Sequence, residues 1–199
     1  MIMITVSAMV MPADEYHDFC TNAIHGFAMN IADSLNFTNT VVLYIDGANG
    51  TNRASAEVVL AIALFDIYES KMDETALNYC MACCTNVING SHCPDVSWQK
   101  SVASAVLSTV LATKGRYHEA FSICTNALAR YGTSPVSNDD TMLWYEICNH
   151  QFLPGLSIIN TLNFYSAMSL LFDGDTVLFA QYTNSLPNVA IEKINEVRE

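Results

Sequence analysis

The sequence predicts an all-α fold of about eight helices, paired into antiparallel hairpins. Three observations predict it. Apolar residues recur at i, i+3, i+4 and i+7 along most of the chain. A glycine, Gly115, separates two such segments within Leu111–Tyr131, where its freedom to take a positive φ ends one helix and opens the next. Small and apolar residues then recur at a fixed offset, as internal repeats do.

Residues 1–12 form an apolar N-terminal segment, and residues 13–199 a single domain. Met1 to Met11 carry no charged side chain and are too few to span a bilayer. Two readings stand. The segment is either the tail of a signal peptide, with small residues Val6 and Ala8 near a cleavage site, or an apolar arm packed on the domain.

The first helix is expected from Asp14 to Leu35, with Cys20, Ala23, Ile24, Phe27, Ile31 and Leu35 at helical spacing. Asn36 to Asn52 breaks that pattern. Val41 to Asp46 is β-branched and apolar, and Gly47 to Gly50 is turn chemistry. The run Val41 through Ile45, Asp46, Gly47, Ala48 and Asn49 resembles the first strand motif of the NYN group of PIN-like nucleases. That resemblance implies a divalent metal on Asp46. The group also needs acidic residues at later strand ends, and the later chain offers helices instead.

Arg53 to Lys71 is expected to be a central helix, apolar on nearly all sides, and Met72 to Asn89 its partner. Ser97 is placed to cap a helix from Trp98 to Lys114. Tyr117 to Tyr131 follows Gly115. A short helix is expected from about Asn138 to Asn149, then Pro154 to Phe172, Thr176 to Ser185, and Pro187 to Val197. An offset of 44 pairs Ala76 with Ala120, Cys80 with Cys124, Cys83 with Ala127 and Cys84 with Leu128. A rival offset of 40 aligns Cys84-Thr85-Asn86 with Cys124-Thr125-Asn126. Under the first, Lys71 stands where Gly115 stands in the later hairpin.

The spacing Gly115, Tyr117, Ala120 and Ala127, with Ser108 as the small residue of the preceding helix, resembles the tetratricopeptide (TPR) repeat family. The resemblance implies a short right-handed solenoid of hairpins with a concave groove. It implies a non-enzymatic protein–protein interaction or scaffold module that binds a protein or peptide. Groove residues come from the first helix of each hairpin, which places Lys100, Ser101, Ser104 and Ser108 there. The family's carboxylate clamp uses several basic residues. With eight Lys and Arg in all, this chain is not expected to carry one.

Cys80, Cys83, Cys84, His92 and Cys93 supply zinc-ligand types at a Cys-x-x-Cys spacing. The same thiols fall on one helical face, where cysteine packs as a small hydrophobe. Core packing is the stronger reading; a zinc-dependent enzyme, or a nuclease at Asp46, is the alternative function. No cofactor is expected. The chain has no phosphate-binding glycine loop and no serine elbow. The seven cysteines are odd in number, and most lie on expected packing faces, which favours reduced thiols and a cytoplasmic site. Export behind a truncated signal is the alternative, and the sequons at Asn36, Asn49 and Asn89 do not decide it. A net charge of −12 disfavours nucleic acid and anionic membrane surfaces as partners. The high apolar content makes a homodimer a further expectation.

Overall fold

The computed structural model describes residues 50–131, 158–184 and 186–198. The described residues hold seven α-helices and no strand: α1 (Gly50–Lys71), α2 (Glu74–Asn89), α3 (Trp98–Thr113), α4 (Tyr117–Tyr131), α5 (Ile158–Asp173), α6 (Thr176–Thr183) and α7 (Asn188–Arg198). The expected helices at 14–35 and 138–149, the extended run with Asp46, and the segment 1–12 lie outside the described residues.

Each short turn has a local cause. Gly115 has φ 72° and Gly174 φ 84°, the left-handed region that costs a glycine nothing. At both, the glycine N–H donates three residues back (Gly115 to Ala112 O, Gly174 to Leu171 O) and the next N–H five back (Arg116 to Leu111 O, Asp175 to Leu170 O). This is a Schellman end, which satisfies carbonyls that the helix leaves orphaned. The turn between α1 and α2 is built differently. Met72 carries the positive φ, 55°, and its N–H donates to Tyr68 O at 2.6 Å. The left-handed residue is therefore Met72, one position beyond the Lys71 that an offset of 44 selects.

The following helices start on side-chain caps. Asp73 Oδ1 accepts from Thr75 N at 2.8 Å and Ala76 N at 3.4 Å. Asp175 Oδ1 accepts from Leu178 N at 3.0 Å. Ser97 Oγ accepts from Lys100 N at 3.3 Å and starts α3, as its position before Trp98 led us to expect. The starts of α2 and α4, Glu74 and Tyr117, lie 43 residues apart. This agrees with the offset of 44 to within one residue and not with the offset of 40.

Each helix packs on the next from α1 through α6, and α3 also packs on both α1 and α5. The main core is built from α1 to α4 and reaches Leu162 of α5. Leu60, Val58, Leu77, Val87, Val102, Val106 and Val110 are among its fully enclosed side chains. Burying a side chain of this size contributes roughly 1.5–3 kcal/mol. A smaller core joins Phe164 and Ala167 of α5 to Leu186, Ala190 and Ile194. Of the four pairs at the offset of 44, three are buried alike, Ala76 and Ala120, Cys80 and Cys124, Cys83 and Ala127, while in the fourth Cys84 is buried and Leu128 only partly so. Between α1 and α3, Gln99 Nε2 donates to Ser55 Oγ at 3.0 Å, a buried bond whose partners are 44 residues apart.

Candidate interaction surface

The residues expected to face a groove do not face one. Lys100, Ser101, Ser104 and Ser108 of α3 are all buried. Lys100 Nζ is tied to Asp95 Oδ1 at 2.8 Å. Ser101 Oγ donates to Ser97 O at 3.1 Å, and Ser104 Oγ to Lys100 O at 2.7 Å. Ser108 Oγ has no partner in hydrogen-bonding geometry. Burial pushes the neighbouring Cys124 thiol up to about 12, an effect that the Ser108 and Ser166 hydroxyls oppose. The physical reason for the correction is packing. Helix α3 meets α1, α2, α4 and α5, so its small hydroxyls fill space between helices. The residues that define the hairpin act as their types suggest. Ala120 and Ala127 are buried, Gly115 makes the turn, and the Tyr117 ring stacks on Phe172 with centroids 5.3 Å apart.

An open cleft lies elsewhere, with α2 and α4 as walls and α3 as floor. Its volume is about 440 Å³. Met81, Thr85, Ile88 and Asn89 come from α2, one face at helical spacing. Leu107 and Leu111 of α3 lie beneath. Glu119, Ser122 and Ile123 of α4, with Arg116 before it, complete the lining. The floor is apolar and the rim carries small hydroxyl and amide groups.

At one end Arg116 and Glu119 form a two-pronged ion pair, Nε to Oε1 at 2.7 Å and Nη2 to Oε2 at 2.6 Å. These hydrogen bonds hold the Glu119 carboxyl below its ordinary pKa and raise that of Arg116. Lys114 Nζ reaches Glu74 Oε2 and Asn78 Oδ1, both at 3.2 Å, and fixes the end of α3 to the start of α2.

The thiol cluster belongs to the core. Cys80, Cys83 and Cys84 are free and buried on the packed face of α2, and Cys93 and Cys124 are also free and buried. Burial pushes Cys83 up to about 12, with the Cys80 thiol and Glu57 adding to the effect. Cys84 is raised by burial and by its contact with Cys80. A thiol held neutral is a poor metal ligand and a poor nucleophile. Among the described residues no group of three or more His, Cys, Asp or Glu is placed to hold a metal ion. His92 is exposed, and His118 Nε2 lies 3.3 Å from Asp173 Oδ1 on the surface. Asp46 lies outside the described residues.

Sequence reasoning did not find the cleft. One signal was available. From Thr75 to Ser91, and again from Ala120 to Ala129, no side chain is charged. No protein-family model, no curated protein and no solved structure matches the chain. Among the described residues no helix is long and apolar enough to cross a membrane.

Proposed function

We propose that the chain is a non-enzymatic interaction module built from TPR-like hairpins, and that the cleft between α2 and α4 is where a protein segment docks. The observation that carries this reading is the cleft itself: an apolar floor, a small polar rim and one self-neutralised ion pair. Such a lining holds a few apolar side chains and offers no group poised for chemistry. The stacking of α1 with α3 and of α3 with α5, with sequential helices packed between, supports a short solenoid. So do the positive φ at Met72 and Gly115, 43 residues apart, and the buried pairs at the offset of 44. The docking face differs from the concave surface that the family resemblance implies, because the α3 residues of that surface are already buried.

The test is affinity capture with the full-length chain, compared with a Ser122→Trp variant. Ser122 is exposed at the cleft mouth, so an indole there occupies the cleft without entering the core. Loss of a stoichiometric protein from the variant, with an unchanged circular-dichroism melt, supports the reading. Equal retention by both chains overturns it.

A further inference from the structure

We draw no further inference here: the strongest candidate, the apolar cleft between α2 and α4, belongs to the interaction surface already proposed, and nothing in the structure shows what covers it.

Discussion

Gln99 donates from Nε2 to Ser55 Oγ at 3.0 Å, and the two side chains lie 44 residues apart on α3 and α1. The bond is buried and joins α1 to α3 at the same offset of 44 that aligns the packed faces of α2 and α4. A repeat stacks by bringing like positions together, and the proposed repeat would make this a bond between like positions.

The left-handed turn at Met72 is a place where stability is left on the table. A side chain at φ 55° costs about 1–2 kcal/mol that glycine avoids, and the Met72 side chain is 69% exposed, so little packing is lost with it. Met72→Gly is expected to stabilise the fold by about 0.5–1 kcal/mol after the entropy of an added glycine is subtracted. Gly115→Ala, with φ 72° at the turn between α3 and α4, is expected to destabilise it by about 1 kcal/mol. Urea unfolding of the three chains checks both signs.

Asp66 makes stability depend on pH. Burial, helped by the negative charge of Glu69, raises its carboxyl from 3.8 to about 7. The folded state therefore holds the proton more tightly than the unfolded state. Its contribution is fully present below about pH 4 and is lost as pH rises towards about 7. The side chain is partly open to solvent, so the loss is on the order of 1–2 kcal/mol. Asp66→Asn is expected to flatten this part of the stability profile between pH 4 and 8. An unaltered slope in the variant would place the titration on another group.

The buried thiols should be silent in the native state. Cys83 and Cys124 are pushed up to about 12, and Cys80, Cys84 and Cys93 are buried as well. Alkylation at pH 8, followed by peptide mapping, is expected to leave these five unmodified in the folded protein and to modify all of them in denaturant. Rapid native labelling of Cys80 or Cys84 would contradict their burial in the main core.

Much of the helical order was legible because it rests on local chemistry. Gly115, Gly174, Ser97 and the aspartates before α2 and α6 mark ends that any chain must satisfy. The Met72 turn was legible only as a break, because methionine does not advertise a left-handed backbone. The expected groove on α3 failed for a different reason. Ser101, Ser104 and Ser108 look polar in sequence, but hydroxyls bonded to the preceding turn bury readily. The cleft was hidden because its walls, such as Thr85 and Ser122, lie on two helices and are undistinguished residue types. Only the missing charge on both stretches pointed to them.

A double-mutant cycle on Ser55→Ala and Gln99→Ala tests most directly whether α1–α2 and α3–α4 are equivalent hairpins stacked at 44 residues. Removing either partner leaves a buried polar group unpaired, and the pair is expected to couple by about 0.5–1.5 kcal/mol in urea unfolding. Additive single effects, with no coupling, would mean that the two residues do not meet and would contradict the stacking of α1 on α3.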